Sequence, residues 1–306
     1  MTLRSRLLLF VKGLAMGAAD VVPGVSGGTI AFITGIYDEL INSIGAIGVD
    51  AVRVLIKKGP KQFWQSINGS FLLTLAIGIV LSVLTLARVV GYGLEHYPVL
   101  VWSFFFGLIV ASVIHIGRQL GSFNRQTVIA LIAGTGIALA IAFAPRGHIE
   151  ATPLVVFAAG TVAISAMILP GISGSFILLL MGLYSQIIAA VSQLNMPLLM
   201  AFGAGCVCGL MAFSRLLSWL LQTHRQLVLA LLTGFLIGSL AVVWPWKLVV
   251  TESSGQASNT LLLPWHYYPD TAFVTPMFMA LAMMIVGFGL VLALEKLAAS
   301  PDVVSH

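Results

Sequence analysis

Ser26, Gly27, Gly28 and Thr29 follow a Pro23-Gly24 pair, and Ser173, Gly174 and Ser175 follow a second such pair, Pro170-Gly171. A proline removes a backbone donor and clashes with the preceding turn, while the glycine beside it admits left-handed dihedrals. A helix stops at each pair, and another can begin at the serine, a good N-cap. The next amides have no partner inside the helix, and a helix N-terminus is partly positive. Together these bind anions, phosphates above all. Arg88 and Arg215 are the only basic residues set deep in long apolar stretches. Their planar forks match phosphate oxygens. Asp20 stands three residues before Pro23. An acid at a helix centre in lipid costs about 2.5–3.5 kcal/mol, so Asp20 is expected to face protein and take up a proton, coordinate a cation or hold an arginine. Asp38 and Glu39, just after Tyr37, are further candidates for gating or coupling. Each reading has a plainer rival: a kinked helix with its serine bonded back to the backbone, an interfacial acid, arginines that snorkel to head groups, a solvated hairpin tip. The Gly-Lys-Ser/Thr ending of a nucleotide-binding loop is absent, and His96, His115, His148 and His224 lack metal-ligand spacing. No metal, cofactor or catalytic residue is expected, beyond coupling to protons or sodium ions.

The elements that carry these residues must live in lipid. Hydrophobic residues make up 59% of the 306 and charged ones only 8%, where a soluble domain carries about 25% charged. Mean hydropathy is +1.06. Uncharged stretches at 70–87, 98–114, 126–144, 192–214, 226–245 and 271–294 are of the length a crossing helix needs. The stretch 152–191 is twice that length and must turn back or cross twice, and 7–47 is interrupted by Asp20, Asp38 and Glu39. The composition predicts an all-α polytopic membrane protein, with Lys247–Asp270 as its longest polar connector. Cys206 and Cys208 point to different faces of one helix and are expected to stay unbonded. Arg4, Arg6 and the Gly17-Ala18-Ala19 run imitate a signal peptide, but the same pattern recurs in mid-chain, which argues against one.

That recurrence is a repeat. From Pro23 to Ile41, 8 of 19 positions are identical to those 147 residues later, without a gap. Gly13 and Gly160 match at the same offset. A second match, at offset 127, pairs Gly78 with Gly205, Arg88 with Arg215, Leu94 with Leu221, Gly107 with Gly234 and Ser112 with Ser239. The difference is a 20-residue insert in the first copy, 49–68, which reads as a basic amphipathic segment on the membrane surface. The organisation expected is one transmembrane domain, 1–306. Repeat one covers about 7–117 with the insert at 49–68, a linking span follows at 126–144, repeat two covers about 153–245, and a C-terminal span ends the domain at 271–294. Each broken segment makes a re-entrant hairpin or two short crossings. The three spans between the breaks (70–94, 98–117 and 126–144) then make the second copy enter from the opposite face. With both termini cytoplasmic, eleven basic residues fall inside and two, Arg146 and Lys247, outside, as the positive-inside rule requires. Arg88 then lies towards the outside and Arg215 towards the inside. Inverted repeats with discontinuous helices are the architecture of many secondary transporters.

Gly17-Ala18-Ala19-Asp20-Val21-Val22-Pro23-Gly24-Val25-Ser26-Gly27-Gly28-Thr29, taken with Ile168-Leu169-Pro170-Gly171-Ile172-Ser173-Gly174-Ser175-Phe176, resembles the polyprenyl-phosphate transporter family. The resemblance extends through Arg88–His96, Phe104–Ser112 and Gly234–Trp246, and it departs at Asp38-Glu39, where one acid followed by a variable residue is expected. It implies a translocase of the bacterial cytoplasmic membrane that returns undecaprenyl phosphate from the outer to the inner leaflet for envelope polymer synthesis. Membrane lipids are the other partner expected, and nucleic acid is not. Two other readings compete. Membrane polyprenyl-diphosphate phosphatases use similar Pro-Gly-x-Ser loops, typically continued by Arg-Ser-Gly, but here Gly27-Gly28 and Gly174-Ser175 follow the serines, with no arginine to stabilise a transferring phosphoryl group. An exporter of a small anion would use the same anion site without an opening to lipid.

Overall fold

In the computed structural model the described residues are 3–22, 25–121, 123–144, 147, 149–251, 257–267 and 274–298. Pro23, Gly24, Arg146, His148 and Tyr268 lie outside them, as do the side chains of Ala87 and Lys296. The architecture is helical, as the composition predicts. Five helices among the described residues are long and apolar enough to cross a membrane.

The element order carries the repeat. Repeat one opens with α1 (Leu3–Asp20), α2 (Gly27–Ile33) and α3 (Tyr37–Gly45). The insert forms α4 (Val49–Lys58) and α5 (Pro60–Ser66), and α6 (Gly69–His96) and α7 (Pro98–Gly117) follow. After α8 (Arg125–Ala142), repeat two runs as α9 (Pro153–Ile168), α10 (Gly174–Leu180), α11 (Tyr184–Ser192), α12 (Met196–Thr223) and α13 (Arg225–Ser239). A hairpin of β1 (Lys247–Thr251) and β2 (Ala257–Leu261), the short α14 (Pro264–Tyr267) and α15 (Val274–Ala298) end the chain. Both α2 and α10 have 7 residues, α3 and α11 have 9, and α6 and α12 have 28. Local chemistry sets these ends. Asn124, Thr152 and Asn195 cap α8, α9 and α12 through their side chains, and Pro98 and Pro153 open α7 and α9. Both short helices stop at a glycine with φ of +72°, Gly35 and Gly182. The Ile36 N–H to Ala31 and Leu183 N–H to Leu178 bonds beyond them are the 6→1 bonds of a Schellman turn.

The chain divides into two compact units, 1–85 with 147–225, and 86–146 with 226–306. Each draws on both repeats. In the first unit, α2 runs back along α1: Gly27 N–H meets Asp20 at one end, and Lys12 Nζ donates to the Thr34 carbonyl at the other (2.8 Å). The second copy folds likewise, with Gly174 set against Ala163 of α9, and α10 and α11 meet at 107°. Each hairpin packs on the long helix that follows, through matched glycines. A Cβ at Gly13 would lie 2.5 Å from the Leu75 carbonyl, and one at Gly78 would lie 2.5 Å from that of Phe10. In the second copy Gly160 and Gly205 make the same approach to Phe202 and Phe157. Lipid offers no hydrophobic drive between helices, so close backbone contact through small residues does the work.

The second unit shows an exchange. Gly107 of α7 packs against Met284 of α15, and its repeat partner Gly234 of α13 packs against Leu131 of α8. The span that follows each repeat therefore docks on the other repeat's last helix. Helix α13 stops at Ser239, short of the end at 245 that the apolar run predicts. Turns with i→i−3 bonds follow, and Trp244 precedes Pro245, a position that disfavours helix.

Lys247 begins the hairpin with its ammonium 3.4 Å from the centre of the Trp102 ring and bonded to the Val242 carbonyl. Burial pushes its pKa down from 10.5 to about 7, against the ring face and the carbonyl, which favour the cation. Because the folded value lies below the unfolded one, the penalty for holding the cation is full below about pH 7. It is relieved as pH rises from there to 10.5, so the stability of this contact rises across that window. Trp102 emission is expected to titrate near pH 7 in the wild type and to stay flat in Lys247→Met.

Candidate functional site

The first break is built from α1 and α2. Ser26 takes an extended N-cap conformation, and its Oγ accepts from Gly28 N–H at 3.0 Å. Asp20 Oδ1, from the last residue of α1, accepts from Gly27 N–H at 2.6 Å, and Thr29 N–H bonds the Ser26 carbonyl at 2.9 Å. A Cβ at Gly27 would lie 2.6 Å from Asp20 Oδ2, so glycine there lets the carboxylate reach the backbone. Each of the first three amides of α2 thus has a partner, and the partner at the positive helix end is a carboxylate, where an anion is most favoured.

The second break is held by the first. Ser26 Oγ donates to the Met167 carbonyl at 2.6 Å, and Tyr37 Oη donates to the Ile168 carbonyl at 3.1 Å. Gly171, whose φ of +86° suits glycine, donates its N–H to Thr29 Oγ1 at 3.0 Å. Three backbone groups freed by the second chain break are satisfied by side chains of the first copy, as backbone inside lipid requires. Gly28 permits the approach, since a Cβ there would lie 2.6 Å from the Ile168 carbonyl. Pro170 is buried beside them.

The tie runs one way. Ser26, Thr29 and Tyr37 correspond to Ser173, Phe176 and Tyr184. Ser173 Oγ lies 2.8 Å from Ser175 Oγ and makes no side-chain cap on α10. Phe176 has no hydroxyl, and Tyr184 is 41% exposed. Ser26 and Thr29 are fully buried, whereas Ser175 is only half-buried. The second serine turn is the more open of the two. Sequence reading passed over Tyr37 and Lys12 as parts of this assembly. The exchange of Thr29 for Phe176 was the available sign that the copies differ in role.

Arg215, exposed on α12, donates from Nε to the Gly45 carbonyl (3.1 Å) and from Nη2 to the Ile47 carbonyl (2.7 Å), at the C-terminal end of α3. A guanidinium there satisfies orphan carbonyls and suits the helix dipole. It bonds to neither serine turn among the described residues. Arg88 is exposed on the part of α6 that belongs to the second unit. Asp38, in the first turn of α3, pairs with Arg225 at the start of α13, and Glu39 accepts from Asn68 Nδ2 at 2.8 Å. Cys206 and Cys208 are both free thiols.

A family model described as undecaprenyl phosphate translocase-like matches residues 16–261, which include both chain breaks and both arginines. The chain is 46% identical over 298 residues to a polyprenyl-phosphate transporter of Vibrio cholerae serotype O1, covering 95% of this chain and 97% of that protein. It is 33% identical over 310 residues to a polyprenyl-phosphate transporter of Staphylococcus aureus, again covering 95% of this chain and 97% of the other. No solved structure matches it.

Proposed function

The chain belongs to the undecaprenyl phosphate translocase-like family, and from that premise we propose that it returns undecaprenyl phosphate from the outer to the inner leaflet of the bacterial cytoplasmic membrane, coupled to an ion. Both termini are cytoplasmic in this reading, and the hairpins α1–α2 and α9–α10 are re-entrant. The observation that carries the proposal is the meeting of the two repeated chain breaks in one unit, with Ser26 bonded to Met167 and Thr29 to Gly171. A transported head group needs a polar place within the hydrocarbon, and paired half-helix ends supply one.

The isoprenoid tail stays in lipid, held by about 0.8 kcal/mol for each buried CH₂. The phosphate monoester, at about −1.5 to −2 charges, is the part that must be carried. In the state described, Asp20 occupies the anion position at the start of α2. Uptake of a proton by Asp20 discharges its carboxylate and frees the Gly27 amide to bind phosphate, with Gly28 and Thr29 alongside. The second turn, Ser173, Gly174 and Ser175, serves the phosphate from the other face. Arg88 and Arg215 catch it at the two leaflets, and Asp38 and Glu39 couple the movement of α3 to its neighbours. Inward movement of the anion opposes a negative-inside potential by about 2.3 kcal/mol per charge for each 100 mV, and a proton carried with it offsets that. Ser26 gives its own proton to a carbonyl rather than to a base, which favours carriage over nucleophilic attack.

Surface labelling of undecaprenyl phosphate tests the reading, in cells lacking this protein and any redundant carrier. The lipid is expected to accumulate on the outer face and to return to its normal level with the wild-type chain. Arg88→Ala or Arg215→Ala is expected to lower this rescue by about tenfold or more, the loss of one charge-assisted phosphate contact. Normal surface levels without the protein would overturn it.

A further inference from the structure

The first repeat carries an insert, 49–68, that the second lacks, and the insert has built a cavity. Residues of α4 and Ser66 of α5, with the end of α3, border an open space of about 540 Å³ lined by Gly45, Gly48, Asp50, Ala51, Ser66 and Arg215. Arg215 is its strongest donor. Two of its N–H groups hold the Gly45 and Ile47 carbonyls, and a guanidinium has five. Both acceptors are neutral, so the full positive charge faces the cavity. The one acid in the wall, Asp50, is paired with Arg53 at 3.0 Å. A Cβ at Gly48 would lie 1.8 Å from Arg215 Nη2, so a glycine at that position lets the fork lie flat against the chain. An adjoining cavity shares Ala46 and Ser66 but has Glu39 in its wall, whose charge repels a phosphate and confines an anion to the Arg215 side.

The insert also sets the depth of this space. On α4, Val49, Val52 and Ile56 are exposed along one side, with Arg53 and Lys57 on the adjoining one. Lys58 and Lys61 follow. Such a helix lies in the interface, with its apolar edge among acyl chains and its bases at head-group level. The cavity that this helix lines is then placed to meet a lipid's phosphate and the first part of its tail together.

We propose that this insert-lined cavity is a phosphate-monoester site, in which Arg215 holds the head group of the carried lipid at the face where the insert lies. The proposal rests on the transport reading above and adds an asymmetry to it: one leaflet has an insert-lined waiting site, and the second repeat has no such insert to line another.

Purified full-length protein, in detergent, is titrated separately with a short-chain polyprenyl phosphate and with inorganic phosphate. Wild type, Arg215→Gln and Gly48→Ala are compared, each first checked for an unchanged melting temperature. The backbone at Gly48 is extended, so alanine fits it and only displaces the fork, keeping the charge. Both variants are expected to bind the lipid phosphate about ten- to a hundredfold more weakly, the loss of a charged hydrogen bond. A parallel loss with inorganic phosphate assigns the site to the phosphate group itself. A loss confined to the lipid assigns it to head group and tail together. Should Arg215→Gln fail to fold, Gly48→Ala decides alone. Wild-type affinity in the folded variants overturns the proposal. Failure of the transport reading shows itself separately, as wild-type protein that moves no lipid between leaflets.

Discussion

Leucine at Gly205 is expected to leave little correctly folded protein. A Cβ at this position would lie 2.0 Å from the Phe157 carbonyl, and across the same contact one at Gly160 would lie 2.6 Å from the Phe202 carbonyl. The obstacle is backbone on both sides, so no rotamer change relieves it. Helices α9 and α12 must separate, and α9 carries the carbonyls of Met167 and Ile168 to which the first break is tied. Overpacking a fitted core costs about 1–3 kcal/mol, and forcing two backbones apart belongs at or beyond the upper end of that range. Gly203 is the control. It lies on the same helix, and a Cβ there meets nothing within 4 Å. Size-exclusion profiles and melting temperatures in detergent check the pair: Gly203→Leu is expected to behave as wild type and Gly205→Leu to aggregate or to melt well below it. Gly78→Leu repeats the experiment in the first copy, where the Phe10 carbonyl lies 2.5 Å from the added atom.

The second large effect belongs to Asp20. Its carboxylate accepts the Gly27 N–H at 2.6 Å, and asparagine keeps an oxygen there while losing the titratable charge. Asp20→Asn is therefore expected to fold but to transport without response to an imposed pH gradient. At a membrane potential of about 100 mV, one uncompensated charge slows inward movement about fiftyfold. Asp20→Ala differs in kind, because it leaves a buried amide unpaired at a cost of about 1–3 kcal/mol, and it is expected to lower stability as well as rate. Transport rates in proteoliposomes at several pH gradients, beside melting temperatures, separate the two effects. Transport by Asp20→Asn that follows the gradient as wild type does would remove this residue from coupling.

Much of this was readable in the residues. The offsets of 147 and 127 carry Gly27–Ile33 onto Gly174–Leu180 and Gly69–His96 onto Met196–Thr223, end for end. Proline, glycine and serine act locally, so the breaks show in sequence. So does the insert, as a jump in register. The exchange of α8 and α15 did not show, because apolar spans carry no mark of which neighbour they meet. Only the backbone approaches at Gly107 and Gly234 reveal it. Nor did the one-way tie between the breaks, since a repeat match stresses what is shared, and Thr29 and Tyr37 act through partners more than 130 residues away. Arg215 stood out in the sequence by type and depth, while its grip on the Gly45 and Ile47 carbonyls depends on the fold of α3. The early end of α13 was hidden by an apolar run in which Pro245 counts for nothing on a hydropathy scale.

The central claim is that this chain alone carries a polyprenyl phosphate head group across a bilayer. Leaflet transfer of a labelled polyprenyl phosphate, followed in liposomes containing only this protein under an imposed proton gradient, measures it directly. Transfer well above protein-free liposomes, faster with the gradient than without and lost in Gly205→Leu, is the predicted result. Transfer no faster than in protein-free liposomes, with folded wild-type protein present, would contradict the account.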